Sequence, residues 1–197
     1  MGDYKTLKHQ SQGVFKDRGS KFIAFAYPVK TENEVRHIVK GLKKEYYDAR
    51  HHCYAFVLGK DKKKFRAADD GEPSNSAGAP ILGQLRSFDL TNTLVVVVRY
   101  FGGTKLGVPG LVNAYREATI DALNQTEIVE EFEKVMVSIK FEYIKMNDVM
   151  KVVKDFDLEV LSQNFDLDCQ MTLQCNKTDS ELPLIKLEEL GQVEHQL

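Results

Sequence analysis

Three carboxylates crowd one short turn, Asp69, Asp70 and Glu72 around Gly71, an arrangement suited to holding Mg²⁺ or supplying a general base. His51 and His52 are adjacent, so on a strand their side chains point to opposite faces and only one can join a site. Beside Asp69 or Asp70 that histidine would form an acid–base pair, the alternative being a hydrogen-bonded structural histidine. After the acidic turn come small residues, with Ser74 and Ser76 among them, that let backbone approach a ligand closely. Gly102, Gly103 and Gly107 lie between a β-branched run and a helix, where a loop can expose backbone N–H groups and a helix N-terminus to an anion. Arg99, Tyr100 and Lys105 flank or lie within that loop. The glycines also have a purely conformational use, in positive φ and close packing. Gly107 is followed by Val108 and Pro109, not by Lys and Ser or Thr, and the spacing is not GxGxxG, so nucleotide hydrolysis has no support. Neither a Gly-x-Ser-x-Gly nucleophile nor a Cys–His pairing is present. Lys60, Lys62, Lys63, Lys64 and Arg66 form a basic run that suits nucleic-acid phosphates, with Phe65 or Tyr54 placed to stack on a base. A solvated hairpin tip is the plainer use of the same residues.

The elements that would position these residues follow from local pattern. Two apolar stretches in 14–29 surround Asp17, Arg18, Gly19 and Ser20, which is a hairpin signal. Thr31 with Glu34 three positions later makes a capping box, and Val35, Ile38, Val39 and Leu42 recur at helical spacing to about Tyr46. A strand from His51 to Gly59 leads through the lysine-rich tip to a second extended segment. A short helix through Ile81, Leu82 and Leu85 follows, with Ser76 as its expected N-cap and Pro80 in its first turn. The run Thr93–Phe101 is near-continuously β-branched, as in a strand buried on both faces. Leu111, Tyr115, Ala118 and Ala122 then form the apolar stripe of a helix opening near Pro109. Beyond Asn124 the pattern is β-α-β-β-α-β. It has a helix capped by Asn147 that buries Val149, Met150 and Val153, a turn at Asn164, a second helix over 178–190 and a last strand, which is the split βαβ of a ferredoxin-like domain.

Composition sets the outer bounds. The chain has 197 residues, 43% hydrophobic and 28% charged, enough for one large or two small folded domains and unlike a disordered or fibrous sequence. No apolar run approaches the roughly 20 residues that span a bilayer, and the first residues lack the apolar core of a secretory signal, so a cytoplasmic protein is expected. Cys53, Cys169 and Cys175 are an odd count without CxxC spacing, as expected of reduced thiols. Residues 1–127 carry 20 Lys and Arg against 14 Asp and Glu, a charge of +6, and the remainder carries 7 against 15, or −8. Opposite charge in the two parts fits two domains, 1–127 and 128–197, the basic one suited to a polyanion.

Three separated blocks, the residues from Arg99 to Gly107, those from Ala68 to Pro80 and those from His51 to Gly59, resemble the YigZ/IMPACT family over about Phe15–Leu123. The second domain resembles the small C-terminal domain of bacterial YigZ-type members. The resemblance implies an α+β fold: a ribosomal-protein-like domain similar to domain IV of elongation factor G, then a ferredoxin-like βαββαβ domain similar to that factor's domain V. Members of this fold group often touch RNA, and the eukaryotic IMPACT proteins regulate translation. Asn75 stands where a glycine is frequent in the family, and Ala79 where a basic residue is frequent.

The sequence therefore favours a non-enzymatic binding protein linked to translation, with no catalytic residue, cofactor or resident metal assigned. Its partner would be RNA, the ribosome or a translation-associated protein, with a phosphate-like anion as the contacted group and no membrane. The expected binding face combines His51, His52, Asp69, Asp70, Glu72, Ser74, Ser76, Arg99, Tyr100, Gly102, Gly103, Lys105 and Gly107, with Lys60, Lys62, Lys63, Lys64 and Arg66 as a nucleic-acid patch. Two alternatives stand beside it. One is a metal-dependent hydrolase built on Asp69, Asp70 and Glu72 with a histidine base, and the other is a protein-interaction module using the acidic C-terminal domain.

Overall fold

The β-branched residues of 93–100 form the centre of the first sheet because such side chains fill both faces of a pleated strand without losing rotamer freedom. The computed structural model describes residues 2–165 and 169–196. Its elements up to that strand are β1 (Tyr4–Leu7), β2 (Ser11–Asp17), β3 (Ser20–Pro28), α1 (Glu32–Glu45), β4 (His51–Leu58), β5 (Lys64–Ala68), α2 (Gly78–Ser87) and β6 (Thr93–Tyr100). Helix α3 (Gly107–Asn124) and β7 (Ile128–Glu131) complete the first of two compact units, which divide after Glu131. The sheet order is β2-β3-β6-β4-β5, every neighbouring pair antiparallel.

Period-two alternation sorts the strand residues onto two helix layers. Val95 and Val97 of β6, with Ala24, Cys53 and Ala55, meet Ile81 and Leu85 of α2 and Leu111, Tyr115, Ala118 and Ala122 of α3. Leu94, Val96 and Val98, with Ile23, Phe25 and Phe56, meet Val35 and Leu42 of α1 on the opposite face. Arg18 and Gly19 close the β2–β3 hairpin with φ of 45° and 80°, the positive pair that a two-residue turn matched to strand twist demands. Thr31 caps α1 as expected, with the Glu34 N–H donating to Thr31 Oγ1 at 3.2 Å, while the returning Glu34 Oε2 accepts from the N–H of Lys30, one residue before the cap.

Four expectations need correction. Ser76 does not cap α2: its hydroxyl donates to the Pro73 carbonyl at 2.6 Å, and the cap position falls to Ala77, which has no side chain to offer. Asn147 sits in the first turn of its helix, two residues past a cap at Lys145. Met150 is exposed, and Val152 takes the buried place beside Val149 and Val153. Ile128, read as the opening of the second domain, instead pairs through β7 with β1 inside the first unit.

The second unit is a four-stranded sheet in the order β11-β8-β10-β9, from β8 (Lys134–Phe141), α4 (Met146–Asp155), β9 (Glu159–Phe165), β10 (Cys169–Asn176), α5 (Glu181–Glu188) and β11 (Gln192–Gln196). Val137, Ile139, Phe141, Met171 and Leu173 pack under Val149, Val153 and Leu187, so the split βαβ arrangement is present with helices on one face. Asn164 is a strand residue opposite Gln170, not a turn; residues 166–168, where the second of the two expected strands opens, lie outside the described residues. The chain is thus of the mixed α+β class. All three cysteines are free thiols.

Candidate functional site

Antiparallel pairing brings the separated blocks to one end of the first sheet. His51, at the start of β4, is opposite Arg99 near the end of β6, and Lys21, at the start of β3, is opposite Tyr100. The β2–β3 turn abuts the glycine loop. A Cβ on Gly102 would lie 1.9 Å from the Gly19 carbonyl carbon, so only glycine fits, and the Gly102 N–H donates to Ser20 Oγ. Gly103 and Gly107 have φ of 87° and 72°, so their absence of a side chain serves the turn. Lys105 and Gly107 are exposed, and α3 opens with neither a side-chain cap nor an acidic residue in its first turn.

The three carboxylates arrive at this end already engaged. Asp69 Oδ1 accepts from the N–H groups of Ala77 and Gly78, and Oδ2 accepts from Asn75 N–H at 2.8 Å. Asp69 therefore caps α2 from outside the helix, satisfying donors that Ser76 was expected to take. Asn75 has φ of 61°, a left-handed conformation that asparagine tolerates and glycine favours. Asp70 accepts from Lys43 Nζ and from the His52 N–H. Partial burial alone would raise its pKa, but those two donors hold the carboxyl below its usual range. Glu72 accepts from Arg99 at 2.6 Å and from the Tyr115 hydroxyl at 2.8 Å. Among the described residues no His, Cys, Asp and Glu side chains cluster as a metal site. Ser74 lies exposed, touched by the Asn75 amide, and Ala79 is exposed in the first turn of α2.

The histidines part as strand geometry requires. His52 faces α1, buried, with Nε2 donating to the Tyr46 carbonyl; burial lowers its pKa despite the Asp70 charge nearby. His51 faces the cleft, and Nδ1 carries its proton because the Asp70 carbonyl 2.9 Å away can only accept. Cys53, on the same face as His51, packs inward beside Asp69 and Tyr115; burial pushes its thiol up, so it is no nucleophile.

Arg99 stands out. It is 7% exposed, its guanidinium is anchored by Glu72 through one nitrogen, and the rings of Phe22 and Phe101 lie 5.4 and 5.7 Å away. Its Nε is the sole buried side-chain nitrogen or oxygen, among the described residues, without a hydrogen-bond partner. A buried donor left unmade is costly. Arg99 lines a cleft of about 530 Å³ together with Asp48, Ala49, Arg50, His51, Tyr100 and Phe101. The Tyr100 hydroxyl donates to Asp48 at 2.7 Å, which pushes its pKa up to about 12 and fixes it as a wall.

Four exposed cations share this end: Arg18 in the β2–β3 turn, Lys21, Arg50 and Lys105. Among the described residues none of them forms an ion pair, although Asp17 and Asp48 are neighbours in sequence. Only Lys105 was singled out from the sequence; the other three are isolated there and become neighbours through strand pairing. The lysine run behaves in the opposite way. It occupies the β4–β5 connection, roughly 23 Å from His51 along β4 at about 3.3 Å per residue. Lys60 pairs with Asp3, Lys62 with Asp89, Lys63 with Asp61 and Lys64 with Glu32. Phe65 lies under Arg86, 4.6 Å from its guanidinium, and Tyr54 packs toward α1. Arg66 is exposed on the edge strand β5.

Comparison with known proteins places this geometry. The Impact N-terminal domain matches residues 18–123, which contain the β2–β3 turn, the acidic turn and the glycine loop. An IMPACT family member of Haemophilus influenzae is 33% identical over 177 residues, 88% of this chain and 85% of that one. The IMPACT family member YvyE of Bacillus subtilis is 39% identical over 130 residues, 66% of this chain and 60% of that protein. A crystal structure described as that of a hypothetical protein superposes with a TM-score of 0.74 at 26% identity, covering 99% of this chain and 97% of its own. With a family domain over more than half its length and a relative matched almost end to end, the chain belongs to the IMPACT family.

Proposed function

We propose that this chain is a non-enzymatic binding protein of the translation apparatus that engages the phosphate backbone of RNA through the cationic end of its first sheet. The observation that carries the reading is that Arg18, Lys21, Arg50 and Lys105, exposed and, among the described residues, without an ion pair, gather at the end of the first sheet that also holds the cleft lined by Arg50 and Arg99. Cations left without counter-charges keep their full attraction for a polyanion, whereas lysines already paired must give up a partner first. The N-terminus of α3 opens at the same end without an acidic residue, which adds to the positive potential. Hydrolysis fits less well, because Asp69, Asp70 and Glu72 are each held by donors within the fold and His51 points its protonated nitrogen at a carbonyl. The link to translation rests on the family resemblance.

A salt titration of single-stranded RNA binding tests the proposal. Four phosphate contacts at about −0.7 each give a slope of log affinity against log salt near −3. Binding absent at low salt, or unchanged by salt, would overturn it.

A further inference from the structure

Resting on that reading and refining it, we infer that the cleft beside Arg99 is a single-nucleotide subsite, in which an unpaired base of single-stranded RNA stacks on Phe101 while its phosphate lies between Arg50 and Arg99. Phe101 is 57% exposed, immediately after a strand whose preceding apolar residues are buried, and it belongs to none of the three cores. A ring left more than half exposed and outside every core gives little to folding, but it offers the face that a base needs. Arg99 lies 5.7 Å from the same ring, so one side of the ring is already set against a cation and its orientation is restrained. The cleft of about 530 Å³ falls within the span of small-ligand sites. Tyr100, pinned to Asp48, walls it and is not free to stack. Arg99, whose buried Nε has no hydrogen-bond partner, lines the cleft, and exposed Arg50 lines it as a second guanidinium. Asp48 contributes the opposing charge, and its hydrogen bond from Tyr100 occupies one of its oxygens. A paired base inside an A-form duplex cannot present its face here, so the chemistry selects unpaired nucleotides over double-stranded RNA.

The test uses the full chain and three fluorescent probes of equal length, about twelve nucleotides: oligoadenylate, the same sugar–phosphate strand without bases, and a duplex RNA. The wild-type chain binds oligoadenylate most tightly. Phe101→Ala weakens oligoadenylate about tenfold, leaves the abasic strand and the salt slope unchanged, and Phe101→Tyr retains the wild-type affinity. The ring is largely exposed, so an unchanged thermal midpoint certifies that the alanine variant folds. If Phe101→Ala binds oligoadenylate like wild type, weakens both strands equally, or if the duplex binds as tightly as the single strand, the subsite is overturned while backbone binding stands. If no probe binds at low salt, the RNA reading and the subsite fall together.

Discussion

The two ends of the first sheet carry similar numbers of basic residues and use them in opposite ways. At the β4–β5 end, four lysines close together in sequence are each met by a carboxylate, from Asp3, Asp89, Asp61 and Glu32. At the other end, Arg18, Lys21, Arg50 and Lys105 come from four places in the chain and, among the described residues, none is paired. Density of charge along a sequence is therefore a poor guide to the charge a surface presents. What matters is whether folding delivers counter-ions to the same place. At the cationic end Asp69, Asp70 and Glu72 are spent on contacts within the fold, where they hold loops and one arginine in position, and Asp48 is held by the Tyr100 hydroxyl.

That contrast yields stability differences that can break it. Glu72→Gln gives the largest effect: Arg99 loses the carboxylate that anchors it at a site where both side chains are nearly buried, 7% and 4% exposed, and removing one partner of such a pair costs about 3–5 kcal/mol. Urea unfolding should show a lower midpoint at an unchanged slope, and Arg99→Met placed on top of it should recover part of the loss. A Glu72→Gln loss below about 1 kcal/mol, the scale of an exposed pair, would make the Glu72–Arg99 pair no different from the surface pairs at the lysine end.

A smaller effect belongs to His52, whose imidazole is buried against α1 at the same sheet end. Burial sets its folded-state pKa below the ordinary histidine value of 6.5, so between the two values the unfolded chain binds more protons and stability rises with pH. The contribution is complete above about pH 6.5 and is lost as the pH falls toward the lower, folded value. The difference in unfolding free energy between wild type and His52→Gln should accordingly shrink on going from about pH 7.5 to about pH 5. A difference independent of pH would show that His52 is as readily protonated folded as unfolded.

Much of the fold was legible because it is written locally. The β-branched run, the Thr31 cap, the Leu111–Tyr115–Ala118–Ala122 stripe and the βαββαβ order each depend on neighbours within a few positions, and each took the expected form. The misses depend on distant partners. Asp69 displaces Ser76 as the cap of α2 because its carboxylate reaches eight and nine residues ahead. Strand β7 joins the first unit because β1 lies more than a hundred residues earlier. At the site, Arg99, His51 and the glycine loop were visible as residue types, whereas Arg18 was legible only as part of a hairpin turn and Lys21 and Arg50 carried no local signal. Only the antiparallel register assembles them.

The most direct measurement compares two quadruple variants of the full chain in salt-dependent binding of a single-stranded RNA. Neutralising Arg18, Lys21, Arg50 and Lys105 to glutamine should flatten the slope of log affinity against log salt by close to 3, at about −0.7 per contact, with thermal stability unchanged. Neutralising Lys60, Lys62, Lys63 and Lys64 should leave that slope where it was. The reverse pattern, with the lysine run carrying the slope and the dispersed cations carrying none, would contradict the account.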